Sequence, residues 1–354
     1  MEIKDIQSGV SKLLGSAINE KRISNAYIFY GPSGSGKEAL ALEFAKEISS
    51  TDSEKFISSD NIFFIIPAKK DFYEKLFKSK SFDSDEYKNW KQFLSNKIHN
   101  PLQKKILSHS NNIPVEAIKN LKEKIYFKSN NRKVVLIFNS EALSHGSAES
   151  ANMLLKILEE PPKNTTFILV TDLIDQVTPT IKSRCQTIYV PRLTSEVISS
   201  IFSSNKSFST DFISFITDNN LNTIDSLMLW NESKVLECIK NYMNAIRYKN
   251  ADSISNFTNS TLNLYSSSKS EFNLSFRVIK KFIKLLSMKN KSIDSKIGFN
   301  EFEELACIVS SKFINMNHTE LVKNIEDFYL GIDANANPQS SLMNMIIKSN
   351  KALN

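Results

Sequence analysis

Ala26-Tyr27-Ile28-Phe29-Tyr30-Gly31-Pro32-Ser33-Gly34-Ser35-Gly36-Lys37-Glu38 is the stretch that decides the fold. It begins with an apolar run of strand length that stops at Gly31. A glycine-rich turn follows, and Ala39, Leu40, Leu42, Phe44 and Ala45 continue as a helix. The unit is therefore strand, glycine loop, helix. Glycines let successive backbone N–H groups wrap an anion, and a helix start adds the positive end of its dipole.

In that context Gly31, Gly34, Gly36 and Lys37 are candidate phosphate-binding residues of a P-loop, with Lys37 reaching the terminal phosphates. The plainer alternative is a strand–helix turn with no phosphate history. The eighth position departs from the pattern. A working P-loop ATPase carries Ser or Thr there, whose hydroxyl holds Mg²⁺; this chain has Glu38. A carboxylate is able to ligate Mg²⁺, but it is longer than a hydroxyl and adds negative charge beside the phosphates. In a first helical turn it also suits the dipole, and stabilising the helix start is the role expected of it.

Such an ATPase also needs an acidic residue at the end of the next core strand. The candidate strand, Lys133 to Ile137, runs into Phe138 and Asn139, neither of which serves. Glu141 lies two positions further on and reads as a solvated strand-end residue. With two parts of the apparatus missing, hydrolysis is not expected. The loop requires no cofactor, and weak ATP or ADP binding is the most expected of it.

Outward from the loop, apolar runs at Asn61–Ile66, Val134–Phe138, Thr166–Thr171 and Thr187–Val190 read as further strands. Helical patterns at Ile3–Asn25, Val115–Ile125 and Ser147–Leu158 lie between and before them, and Pro161 and Pro162 end the last. Alternating strands and helices predict a parallel sheet covered on both faces. Between Pro67 and Pro114 the periodicity fails, and Trp90, Phe93 and Leu94 mark only a short helix. This is read as an insertion with local structure of its own. After Pro191 only helical patterns remain.

The 354 residues predict two or three domains, and 41% hydrophobic with 23% charged residues excludes wholesale disorder. No apolar run reaches the roughly 18 residues of a membrane span, and the first residues show no signal-peptide pattern. Cys185, Cys238 and Cys307 are too few and too scattered for a disulfide framework or a zinc site, and the histidines show no metal spacing. A cytoplasmic protein with no membrane partner and no metal site is expected. The net charge of +7 is mildly consistent with a nucleic-acid environment. Arg277, Lys280, Lys281 and Lys284 share one side of a helix over Phe272–Leu286. They read either as the solvated face of a core helix or as a contact to DNA phosphate. Lys69, Lys70, Lys75, Lys78 and Lys80, interleaved with Phe72, Tyr73 and Phe77, pose the same choice in the insertion.

The run from Ser150 to Pro162, SANMLLKILEEPP, resembles the NALLKxLEEPP segment of bacterial clamp-loader subunits, and Ser183-Arg184-Cys185 resembles their SRC motif. Glycine loop, LLKxLEEPP, strand and SRC follow in that family's order from about Ile6 to Leu193. Among these AAA+ proteins the departures resemble the delta-prime type of DNA polymerase III subunit. The intact loop hydroxyl, the acidic pair and the four zinc-binding cysteines of the gamma/tau ATPase subunits are all lacking. Ile113–Phe127 looks like the helix before their second core strand, and the segment Gly331–Pro338 is similar to a terminal string that often reads RNANP, with Ala334 in place of the arginine.

The resemblance implies an α/β P-loop (RecA-like AAA+) domain with a parallel sheet over 1–192, its insertion at about 67–113. A helical lid over 193–231 and a helical collar for oligomerisation over 232–354 would follow. It implies a non-hydrolysing subunit that helps load the sliding clamp on primed DNA. Its partners would be gamma/tau-like ATPase subunits and a delta-like subunit in a hetero-pentamer, with clamp and DNA met through the complex. Arg184 would act in trans as an arginine finger on a neighbour's phosphate; the alternative is a helix-capping arginine. Cys185 reads as a small buried residue beside it. Thr171 would be a phosphate sensor or simply a strand-terminal threonine. No second-sensor arginine occurs around Asn219 to Ser226. Two other functions stay open: an active gamma/tau-like ATPase that tolerates Glu38, and a stand-alone nucleotide-sensing adaptor. Hydrolysis by the isolated chain would mark the first.

Overall fold

A computed structural model describes residues 3–51, 56–78, 85–99, 102, 110–129, 131–145, 148–202, 209–218, 230–248, 250–291, 299–312 and 316–353. They form two compact units that divide between Leu193 and Thr194.

The first unit is built on five parallel strands: β1 (Ala26–Tyr30), β2 (Ile62–Ile65), β3 (Lys133–Phe138), β4 (Thr165–Thr171) and β5 (Gln186–Tyr189). Their order across the sheet is β2-β3-β4-β1-β5. Central strands buried on both faces are continuous apolar runs, and β3 is buried at every position. Side chains alternate between faces. Ala26, Ile28, Val135, Ile137, Phe167 and Leu169 pack with α6 (Val115–Ile125) and α7 (Glu149–Glu159). Tyr27 and Phe29 point the other way, onto Phe44 of α3 (Lys37–Ser49), with ring centroids 5.2 and 6.1 Å apart. The doubly covered parallel sheet expected of an α/β P-loop fold is therefore present.

The N-terminal helical pattern is two helices, α1 (Ile3–Ile6) and α2 (Ser8–Asn19). The insertion is more regular than its sequence predicts. It holds α4 (Lys70–Lys78) and α5 (Asp85–His99) in place of one short helix. Their apolar positions are few but aromatic: Phe72 meets Trp90 edge-on at 5.6 Å, and Trp90 stacks on Phe93 at 5.7 Å. The buried Tyr73 hydroxyl accepts from Ile66 N and donates to Ile66 O, fixing α4 to the end of β2. Lys80 and positions 100, 101 and 103–109 of the loop after α5 lie outside the described residues.

The second unit is all α among the described residues. After a short α8 (Pro179–Lys182) in the first unit come α9 (Ser195–Phe202), α10 (Thr210–Asp218), α11 (Glu232–Tyr248) and α12 (Ala251–Ser267). They are followed by α13 (Lys269–Asn290), α14 (Asn300–Lys312), α15 (His318–Asp333) and α16 (Pro338–Lys351). Asn250, Ser268, Asn317 and Asn337 cap four of them, each side chain accepting from the backbone N–H three residues on. Phe212 and Phe215 of α10 pack on Phe299 and Phe302. On α13 the apolar set Val278, Ile279, Phe282, Leu285 and Leu286 is buried, while Arg277 and Lys284 are exposed and Lys280 and Lys281 half-buried. Positions 219–226, the place of a second-sensor arginine in the family resemblance, lie outside the described residues. No described helix is long and apolar enough to cross a membrane.

Candidate functional site

The register places Tyr30 level with Thr171 of β4 and Tyr189 of β5. The glycine loop thus leaves the carboxyl end of the sheet between two strand ends, where open α/β sheets hold ligands. Gly31 lies against β5 so closely that a Cβ would stand 2.2 Å from Val190 O. Gly36 adopts φ 81° as the N-cap of α3, and a Cβ there would press to 3.3 Å of Ile3 Cδ1. Gln7 holds the loop from the N-terminal side: its Nε2 donates to Ser35 O at 2.7 Å and Pro191 O at 2.8 Å.

Lys37 is buried, and its ammonium is turned onto its own surroundings. It donates to Pro32 O at 2.9 Å and pairs with the carboxylate of Asp172, the residue after β4. Glu38 does more than stabilise a helix start. It forms an ion pair with Lys97 of α5, whose side chain is only 3% exposed. The Lys97 ammonium also lies 4.5 Å from the ring centroid of Phe138 and 5.6 Å from that of Phe93. The loop therefore carries two buried cations, each matched by one carboxylate.

The expectation for Glu141 is overturned. The chain turns back after β3 through Asn139, at φ 51°, and carries Glu141 inward until it is 8% exposed. Its carboxylate accepts from Thr171 Oγ1 at 2.6 Å, and Thr171 Oγ1 accepts from Leu173 N at 2.9 Å. The Thr171 hydroxyl proton is thus given to Glu141.

A magnesium–nucleotide held in the P-loop manner needs a hydroxyl at position 38 and a carboxylate at the end of β3. The chain presents a paired glutamate and a phenyl ring, with an ammonium between them. This donor set does not fit the metal. The backbone fits an anion better: the open N-terminus of α3 has a glycine cap and no side-chain partner. Phosphate would still have to displace Asp172 from Lys37. Among the described residues no cluster of His, Cys, Asp and Glu has the makings of a metal site.

Arg184 stands apart from the loop, half-exposed, just after α8. Its guanidinium pairs with Glu159 at 2.7 Å and donates to Thr180 O at 3.1 Å. The two signature segments thus meet: Glu159 belongs to LLKxLEEPP and Arg184 to SRC. Beside it Cys185 is half-buried, and burial pushes its thiol up to about 12, so it stays protonated.

Residues 6–194 match the family model described as DNA polymerase III, delta subunit. The chain belongs to that family. Membership in the DNA polymerase III delta-subunit family accounts for the loop, LLKxLEEPP and SRC occurring in one order. Among curated relatives, DNA polymerase III subunit tau of Bacillus subtilis (strain 168) is 29% identical over 194 residues, 54% of this chain and 29% of its own length. DNA polymerase III subunit delta' of the same organism is 29% identical over 187 residues, 53% of this chain and 48% of its own. The chain therefore spans less than half the length of these two relatives. A solved structure of a DNA polymerase III gamma subunit-related protein from Thermotoga maritima aligns over 96% of this chain and 99% of its own, with TM-score 0.43 and 14% identity.

Three partners of the site were not found from sequence: Gln7, Lys97 and Asp172. Asp172 carries a weak signal, following the last apolar residues of a strand. Lys97 carries a better one. It falls on the line Trp90, Phe93, Leu94, Lys97, at the spacing of one helix face, so a cation sits where an apolar residue is due.

Proposed function

We propose that this chain is a clamp-loader subunit of the delta-prime type that does not hydrolyse ATP and donates Arg184 to a phosphate bound by a neighbouring gamma/tau-like ATPase subunit. The observation that carries the reading is the double replacement at the loop: Glu38, held by Lys97, and Phe138 stand where phosphoryl transfer needs a hydroxyl and a carboxylate. Arg184, by contrast, is accessible and its ion pair is exposed. A pair of that kind is worth about 0–1 kcal/mol, so Arg184 is easily released to a better acceptor. The partners in this reading are a delta-like subunit and ATPase subunits in a hetero-pentamer, which meets the sliding clamp and primed DNA. The helices within 193–231 act as lid and those within 232–354 as collar, and the protein works in the cytoplasm.

The tau relative favours a second reading, a gamma/tau-like ATPase, because it matches at the same identity as the delta' relative. The two part on hydrolysis. The isolated chain is expected to release no phosphate from ATP above background, with or without primed DNA; release abolished by Lys37→Ala supports the ATPase reading instead. In a complex reconstituted with its ATPase partner, Arg184→Ala is expected to leave assembly intact and lower kcat more than nucleotide affinity. Arg184→Lys should not fully rescue, because an ammonium lacks the planar fork. Unchanged turnover in an intact complex would reduce Arg184 to a helix cap.

A further inference from the structure

We propose that Lys97 is a built-in cation that takes the metal position of the glycine loop, so that the loop accepts no divalent ion with a nucleotide. The inference rests on the reading of the loop as non-hydrolysing and deepens it, by naming what replaces the metal.

Two positions define where a metal would stand: the eighth residue of the loop and the end of β3. The Lys97 ammonium touches both. It is paired with the Glu38 carboxylate and lies 4.5 Å from the Phe138 ring centroid. The charge is held as well as placed. Phe93, one helical turn earlier on α5, offers a second ring face at 5.6 Å, and stacks in turn on Trp90. A cation over aromatic faces and against a carboxylate keeps much of the stabilisation it loses on leaving water. Because α5 is a helix packed through aromatic side chains, the ammonium is delivered on a rigid element. Phe138 suits this role better than a carboxylate would: Glu38 already neutralises Lys97, and a second buried carboxylate would stand unmatched. A divalent ion brought to the same place meets a fixed positive charge within a few ångströms and a glutamate already paired. The insertion thereby acquires a function at the loop: its second helix closes the metal position.

The test is titration of a fluorescent ADP analogue into the full chain, once with excess Mg²⁺ and once with EDTA. In the wild type, Mg²⁺ is expected to change the affinity less than threefold, or binding to be absent in both. Glu38→Thr with Phe138→Asp restores the loop hydroxyl and the strand-end carboxylate but keeps Lys97, and is expected to gain no dependence on Mg²⁺. Adding Lys97→Met removes the ammonium, and this triple variant is expected to bind at least tenfold more tightly with Mg²⁺ than with EDTA. Circular dichroism checks that each variant is folded. A tenfold gain from Mg²⁺ in the wild type or in Glu38→Thr with Phe138→Asp overturns the proposal, as does no gain in a folded triple variant. Phosphate release measured on the same wild-type samples separates the two readings: Mg²⁺-dependent binding without release overturns the role of Lys97 only, whereas release overturns the non-hydrolysing reading.

Discussion

The glycine loop and the LEEPP–SRC junction both carry signature residues, and both hold those residues by ion pairs, yet they treat charge in opposite ways. At the loop, Lys37 and Lys97 are about 95% buried on carboxylates drawn from the residue after β4 and from α3. At the junction Arg184 and Glu159 meet in the open. A buried pair is strongly coupled to the fold, because loss of one partner strands the other away from water. An exposed pair is nearly free to break. The loop pairs are therefore tied to the fold, and the junction pair contributes little to it.

The largest effect that would break this contrast lies at Glu38. Glu38→Ala should cost about 3–5 kcal/mol by stranding Lys97. The chain has two tryptophans, Trp90 in the first unit and Trp230 in the second. Urea unfolding followed by fluorescence in a Trp230→Phe background therefore reports the first unit alone. A loss below about 1 kcal/mol would place the Glu38 pair with surface pairs and erase the distinction. Next comes Gly31→Ala. Its Cβ would overlap Val190 O, a backbone atom that cannot turn aside, so a loss of about 2–3 kcal/mol is expected in the same assay. Smaller again is Glu159→Ala, which should change stability by less than about 1 kcal/mol while leaving Arg184 in place. A loss like that of Glu38→Ala would show the junction to be structural.

The smallest expected effect sharpens the rule that buried charge needs a partner. His318, the first residue of α15, is half-buried, and its Nε2 has no hydrogen-bond partner among the described residues. Burial and the charge of Lys291 hold it below its ordinary value of 6.5. The helix start it occupies also disfavours a cation. Below about pH 6.5 the unfolded chain takes a proton that the folded chain refuses. Stability from this group is thus complete above that pH and declines as pH falls. Unfolding followed through Trp230 should show this modest slope, and His318→Asn should flatten it.

The sheet was legible in the sequence because β1 to β4 are almost wholly buried, and strands so placed are mostly apolar along their length. The expected strand ends fall within a residue of those found. The insertion was not legible, since α4 and α5 bury only a few side chains, mostly aromatic and including the cation Lys97. Glycines and Lys37 were readable from loop chemistry alone. Glu141 was misplaced because strand-end residues are normally wet, and only the left-handed turn at Asn139 carries this one inward. Lys97 and Asp172 reach the loop across 59 and 135 positions of chain from their partners. No local pattern encodes a meeting at that separation. A cation on an apolar helix face says that it has a partner without saying which.

The closeness of Gly31 to β5 bears on how such a loop ages. The residue is glycine because a strand backbone passes too near for any side chain, and that demand would hold if no phosphate ever entered. Packing alone is enough to demand the first letter of the motif, whether or not the loop takes part in a reaction. A glycine loop is in this sense a fossil with a skeleton of its own, and its presence dates an ancestry more securely than it reports a present reaction.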